Sequence, residues 1–289
     1  MANNKYGLSS LRKEFGTDEK CLEFIFKTLH TKQCTCGGTF KRKEGRRQWQ
    51  CSKCRYQLAP TAGTIFHKSD TPLTLWFHAI MVFSNAKSGI SAKTMERDLE
   101  VTYKTAWRML TLIRKALKQS EDVLKGDVEI DVGYFGGKGH AGRDNRSLSK
   151  VMKEKSVIIA AKQRGGEIRA AVVPDASAKT HKNFLWQNVS TQGTRLMTDS
   201  TNTLEKVAVG YDRHMVDHHR GEYVRGDIHV NSIETFWAHV KRSMRGTHKV
   251  ISKKYLQSYL DGFVFHANNQ RTDRQRFEAL LGMILHAAR

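Results

Sequence analysis

Three short stretches hold acids whose settings could support chemistry. In "GDVEIDVGYFGGK" (126–138), Val128 and Ile130 alternate with Asp127, Glu129 and Asp131, the period-two pattern of a strand with its three acids on one face. Carboxylates placed that way repel one another unless a cation or solvent lies between them, so the face is either a metal-binding face or a wet edge. "TRLMTDSTNTLEKV" (194–207) reads as a short apolar strand ending in Asp199. That position suits a metal ligand at the end of an α/β strand, and equally a helix N-cap. In "HVNSIETFWAHVKR" (229–242) and just beyond, Ile233, Phe236, Trp237, Val240 and Met244 make one apolar stripe. Asn231, Glu234, Lys241 and Arg245 follow one another on an adjacent face. Carboxylate oxygens are hard donors suited to Mg²⁺ (or Mn²⁺), and a pair of such ions about 4 Å apart is the equipment of phosphoryl transfer. A strand acid, a second strand acid and a helix acid, in that order, is the arrangement of an RNase H-like nuclease fold.

A second set of ligands lies upstream. "CTCGGTFKRKEGRRQWQCSKC" (34–54) holds two cysteine pairs, Cys34 with Cys36 and Cys51 with Cys54, separated by 14 residues. Paired thiolates on two tight turns supply the four soft ligands of one structural Zn²⁺ without a large core. Gly37 and Gly38 provide the backbone freedom of the first turn. One residue rather than two separates Cys34 from Cys36, which requires a tighter turn or leaves one ligand poorly placed. "TFKRK" and "RQWQC" are expected to form a hairpin between the turns, making a zinc ribbon. Its basic residues, Arg46 and Arg47 among them, could grip phosphates, with Trp49 read as a small core residue. The fifth cysteine, Cys21, falls in step with Ile25 and Leu29 and is expected to be a buried thiol.

These groups need elements to position them. Thr71 reads as an N-cap, followed by Pro72 in the first turn of a helix carrying Leu73, Trp76, Phe77, Ile80 and Phe83. Ser91 can cap "AKTMERDLE", "VTY" turns the chain, and "KTAWRMLTLIRKALK" begins another helix. A short helix, a tight turn and a basic second helix suggest a helix-turn-helix, with Tyr103, Lys104, Thr105 and Arg108 approaching the major groove. A plain helical hairpin has the same periodicity. "SVIIAAKQRGGEIRAAVVP" reads as two strands around a turn, "KTHKNFLWQNV" as a helix and "RHMVDHH" as one more strand. The expected organisation is an N-terminal helical segment (1–30), a zinc ribbon (31–62), a helix-turn-helix segment (63–125) and an α/β catalytic domain (126–289).

Forty-nine Lys and Arg against 28 Asp and Glu give a formal charge of +21 and a pI near 9.9, which favours a polyanionic partner. No run of about 18 apolar residues is present, and "MANNKYGLSSLRKEFG" lacks the apolar core of a signal peptide. The expectation is a cytoplasmic chain, nucleoid-associated if bacterial, with double-stranded DNA rather than a membrane as its partner.

The ribbon, "LAPTAGTIFHKS", the helical segment, "VEIDVGYFGGK", "MTDS" and the stretch from "HVNSIETFWAHVKR" to "FVFHANNQR" together resemble the DDE transposases of zinc-ribbon insertion sequences, the ISXO-like relatives of Merlin elements. The similarity runs from about "FGTDEKC" to the C-terminus. It implies that Asp131 is the first catalytic acid, Asp199 the second and Glu234 the third, with 34 residues between Asp199 and Glu234 and with Asn231 as the alternative third ligand. It implies two Mg²⁺ (or Mn²⁺) per active site, and DNA contact by Lys241, with Arg242 and Arg245 beside it. The implied activity is binding of insertion-sequence ends (terminal inverted repeats), their cleavage, and joining of the 3′-OH to target DNA. The reaction class implies a homodimer or larger synaptic assembly. The sequence departs from the family pattern after the first acid, where Val132 and Gly133 follow instead of an acidic residue; Glu129 would compensate or face solvent. A nuclease without joining activity, or an impaired or domesticated recombinase acting as a zinc-dependent DNA-binding regulator, would share the same architecture.

Overall fold

In the computed structural model, residues 5–136, 155–200 and 208–287 are described. Those up to Lys118, together with those from Gln270 onward, form one compact unit, and those from Gln119 to Asn269 form a second.

The first unit begins with α1 (Leu8–Phe15) and α2 (Asp18–Leu29). The ribbon follows as β1 (Phe40–Arg42), β2 (Trp49–Cys51) and β3 (Gln57–Leu58), three antiparallel strands. So small a sheet has little core of its own, and it borrows one: Trp49 is buried and stacks on Phe26 of α2, ring centroids 4.5 Å apart and planes 2° from parallel. Cys21 is fully buried, as expected.

Helix α3 (Leu73–Asn85) buries Leu73, Trp76, Phe77, Ile80 and Phe83. Pro72, not Thr71, is its N-cap residue, and no side chain beside it caps the helix. The Asp18 carboxylate does so from α2, accepting the Thr74 amide at 3.0 Å. The "GTIFHKS" stretch buttresses this helix, since Ser69 Oγ accepts the Trp76 indole N–H at 3.1 Å and Phe66 packs edge-on to that indole. Helices α4 (Ala92–Leu99) and α5 (Tyr103–Ala116) are capped by Ser91 and Thr102, and Glu100 takes a left-handed conformation (φ 54°) to turn the chain between them.

The second unit is a five-stranded mixed sheet flanked by helices. Its strands are β4 (Leu124–Phe135), β5 (Ser156–Gln163), β6 (Ile168–Val173), β7 (Val189–Asp199) and β8 (Asp212–Val216), in the order β6-β5-β4-β7-β8. β5 is antiparallel to both β4 and β6, whereas β4/β7 and β7/β8 are parallel. Helix α6 (Ala178–Asn188) leads into β7 and packs on one face with Leu124, Val128, Ile130 and Leu196. A small hairpin, β9 (Val224–Arg225) with β10 (Ile228–His229), leads into α7 (Asn231–Ser243), and α8 (Leu256–Asn268) follows. These two helices cover the other face through Ile233, Trp237, Val240, Leu260 and Phe263. Side-chain amides seal the outer edge of β6: Asn268, Gln119 and Gln257 accept the backbone N–H groups of Ile168, Ala170 and Val172 at 2.7–2.9 Å, leaving no open ladder there for another chain to join.

The expected division 126–289 does not match this organisation. Helix α9 (Asp273–His286) belongs to the first unit, where Phe277 meets Tyr6, Phe15 and Phe77, and Arg276 Nε donates to the Ser84 carbonyl at 2.7 Å. The three expected N-terminal segments, with this helix, share one core rather than forming separate domains. The helix expected directly after Asp199 lies outside the described residues.

Candidate functional site

The four paired thiols converge. Among the described residues, Cys34, Cys36, Cys51 and Cys54 are the set whose potential metal-ligand atoms all lie within 4.8 Å of one another. The Cys34–Cys54 and Cys36–Cys51 sulfurs are 3.7 and 3.4 Å apart. A tetrahedral zinc with Zn–S bonds of about 2.3 Å requires sulfurs about 3.8 Å apart, so the donor set fits Zn²⁺. The short Cys34–Cys36 spacing is absorbed by a turn in which Gly37 (φ 79°) donates to the Cys34 carbonyl at 2.9 Å. Gly38 is needed for a different reason: a Cβ there would stand 2.6 Å from Cys51 Sγ. Burial alone would raise the Cys51 thiol, yet N–H donors from Cys54 and Lys53 bring it down to about 6, favouring the thiolate that metals bind.

The acids come together from three elements. On β4, Glu129, Asp131 and Phe135 share the face toward α7, while Val128, Ile130 and Val132 face α6, the alternation that the sequence predicts. The parallel β4–β7 register pairs Glu129 with Met197, and two residues farther along each strand lead to Asp131 and Asp199. Glu234 lies in the first turn of α7. Burial pushes the Asp131 carboxyl up to about 6. The Val132 amide, donating to Oδ1 at 2.7 Å, holds it down, and the charges of Asp199 and Glu234 raise it again. The Trp237 indole N–H also acts to lower it, though without completing a hydrogen bond. Carboxylates are hard-oxygen donors, and a divalent cation beside Asp131 would offset the charges that raise it. The oxygens of the three acids do not all fall within the 4.8 Å that groups the thiols.

Asn231 is the first residue of α7. Lys241 and Arg242 are exposed on the same helix, whereas Arg245 lies past its end in a wider π-type turn, Met244–His248. On the ribbon Arg46 is exposed, but Arg47 is tied down, pairing with Asp18 at 2.7 Å and donating to the Ser69 carbonyl at 3.4 Å. Tyr103, Lys104 and Arg108 are exposed at the start of α5, with Thr105 half-buried.

Two side chains near the acids escape a sequence reading. His218 Nδ1 lies 3.7 Å from Glu234 Oε1, and its ring meets Tyr223 at 4.9 Å. The "RHMVDHH" stretch gives no sign of this, because only residues up to Val216 form the strand and His218 sits in a short 3₁₀ turn. Glu129, expected to compensate for the missing second acid or to face solvent, does not face solvent. It is fully buried and fully engaged by hydrogen bonds.

The chain belongs to the ISXO2-like transposase domain family, whose model matches residues 123–268. A protein of Halobacterium salinarum described as an uncharacterized protein in transposable element ISH50 is 27% identical over 229 residues, covering 75% of this chain and 76% of its own length. A chain from the crystal structure of a pre-cleavage Mos1 transpososome aligns over 73% of this chain and 78% of that one, at 9% identity and a TM-score of 0.29. Among the described residues, no helix is long and apolar enough to cross a membrane.

Proposed function

We propose that the protein is a metal-dependent DNA transposase that binds insertion-sequence ends, cleaves them and joins the freed 3′-OH to target DNA. One observation carries this reading: within the family-matched segment, a half-buried strand carboxyl, Asp131, feels the charges of a second strand acid, Asp199, and a helix acid, Glu234. The strand order β6-β5-β4-β7-β8, with β5 alone antiparallel, supports an RNase H-like assignment for the second unit.

In this reading Asp131, Asp199 and Glu234 would hold two Mg²⁺ (or Mn²⁺), and the bound metal would supply Lewis-acid activation of the attacking oxygen and charge stabilisation at the leaving oxygen. Glu234 is taken as the third ligand because an ionised carboxylate is a stronger hard-oxygen donor to Mg²⁺ than an amide, with Asn231, three residues earlier on α7, as the alternative. In the first step water attacks the scissile phosphorus and the 3′ oxygen leaves. In the second, the 3′-OH attacks a target phosphodiester, its oxygen bonding to the phosphorus as the target strand's own 3′ oxygen leaves and takes up a proton. Lys241, Arg242 and Arg245 contact the DNA backbone beside the acids. The ribbon, with one structural Zn²⁺ on its four thiolates, and α4–α5 acting as a helix-turn-helix bind the element ends. Tyr103, Lys104, Thr105 and Arg108 face the major groove, and Arg46 contacts phosphate. Two ends held together require a dimer or larger assembly.

The test is Asp131→Ala assayed on duplexes carrying the terminal inverted repeat. It should retain end binding and cut no more than a no-enzyme control in Mg²⁺, while the wild-type chain given pre-cleaved ends should form strand-transfer products. Undiminished cleavage by the variant would sink the assignment of the acids, and absence of joining by the wild type would leave a nuclease.

A further inference from the structure

We infer that Glu129 is a positioning residue for the acid site, fixing Glu234 relative to Asp131 by capping the helix that carries Glu234. The inference rests on the reading of Asp131, Asp199 and Glu234 as the metal-holding set.

Helix α7 has no cap of its own. Its N-cap residue is Val230, which offers no side-chain acceptor, so the first-turn amides need a partner from elsewhere. Glu129 supplies it from the sheet. Its Oε2 accepts the backbone N–H of Ser232 at 2.8 Å and of Ile233 at 3.0 Å. Its Oε1 accepts the Ser232 hydroxyl at 3.0 Å and Arg164 Nε at 2.8 Å. A carboxylate at this end of a helix also meets the positive end of the helix dipole. Glu129 is 0% exposed, and so buried a charge is tolerable only with partners of this quality.

Arg164 extends the brace to the chain entering the helix. Its Nη1 donates to the Asp227 carbonyl at 2.7 Å and its Nη2 to the His229 carbonyl at 2.9 Å, while its own backbone N–H donates to the Asp127 carbonyl at 2.9 Å. Strand β4, the turn after β5 and the start of α7 are therefore joined through one carboxylate and one guanidinium. Glu129 stands two residues before Asp131 on the strand, and the amides it holds stand one and two residues before Glu234 on the helix. Any slip of the helix start along its axis must break these bonds, and any such slip carries Glu234 away from Asp131. With both oxygens committed to protein donors, Glu129 acts through Glu234 and is not itself a ligand.

The test uses the full chain with Glu129→Gln, which keeps the shape but replaces one acceptor oxygen by a donor facing N–H groups. In metal-free protein, hydrogen exchange should speed up at the amides of Ser232 and Ile233. End binding should be unchanged, and the Mn²⁺ concentration for half-maximal single-turnover cleavage should rise about 10- to 100-fold, the usual cost of losing a residue that orients a ligand. Ser232→Ala removes only the hydroxyl donor and should move the Mn²⁺ dependence the same way by less; it carries the test if Glu129→Gln does not fold. A wild-type Mn²⁺ dependence in both variants, or end binding and cleavage falling in parallel, would overturn the proposal. Asp131→Ala is the control that separates the two readings. If it still cleaves, the acid assignment fails; if it is dead while Glu129→Gln behaves as wild type, only the role of Glu129 fails.

Discussion

The four thiols and the three acids are both candidate metal sites, built at different ranges. Cys34 to Cys54 span 21 residues, and two tight turns on a three-stranded ribbon suffice to gather their sulfurs. Asp131 to Glu234 span 104 residues, and their approach depends on a parallel strand pairing, a helix packed across the sheet and the Glu129 cap. The ribbon has little apolar core besides the Trp49 stack on Phe26, so its ligands must stabilise its fold. The sheet unit has a large core on both faces, so it can carry the cost of holding the raised Asp131 carboxyl in place. The lesson is that loss of a ligand should have opposite consequences for folding in the two places.

The largest effect that would break this contrast is on the ribbon. Structural zinc contributes on the order of 10 kcal/mol to the folding of small modules, so Cys51→Ser should unfold the ribbon and expose Trp49, read as a red shift in tryptophan emission. A Trp49 that stays buried in Cys51→Ser would show that α2 alone suffices to hold the ribbon.

A second effect bears on the acid side. Glu234→Gln should reduce cleavage about 10²-fold or more, the scale of removing one preorganised electrostatic partner, with little change in melting temperature. Asn231→Ala should leave cleavage near wild type. The reverse order in a single-turnover assay would transfer the third-ligand role to Asn231.

The smallest effect sharpens the contrast most. The Asp131 carboxyl is raised to about 6 from 3.8, so the folded state binds the extra proton. Stability from this group is full below about 3.8 and lost as the pH rises through about 6. Asp131→Asn, which cannot ionise, should therefore be more stable than the wild type in metal-free protein at pH 7.5, by on the order of 2 kcal/mol. The gap should close as the pH falls toward 4, as followed by urea denaturation. Equal stabilities across that range would mean that Asp131 ionises without strain.

Much of the local structure was legible in advance. The alternation from Val128 to Asp131 forms a strand with Glu129 and Asp131 on one face, and the stripe from Ile233 to Val240 forms a buried helix face. Ser91 caps its helix and Trp49 is core. What was missed is consistently long-range. Thr71 is passed over because Asp18, 56 residues upstream, caps α3, and Arg47 is drawn to that same carboxylate. Helix α9 reads as a continuation of the preceding unit until Phe277 is seen among Tyr6, Phe15 and Phe77.

The amino-acid sequence by itself determined the elements, the paired thiols and which residue types could hold metal, because helix periodicity, strand alternation and tight-turn spacing act over a few residues. Only the tertiary structure decided how the acids meet and that Glu129 is a buried cap rather than a surface charge. Strand order and helix docking are set by contacts between residues about a hundred positions apart, and no local pattern encodes which amides a buried carboxylate will find.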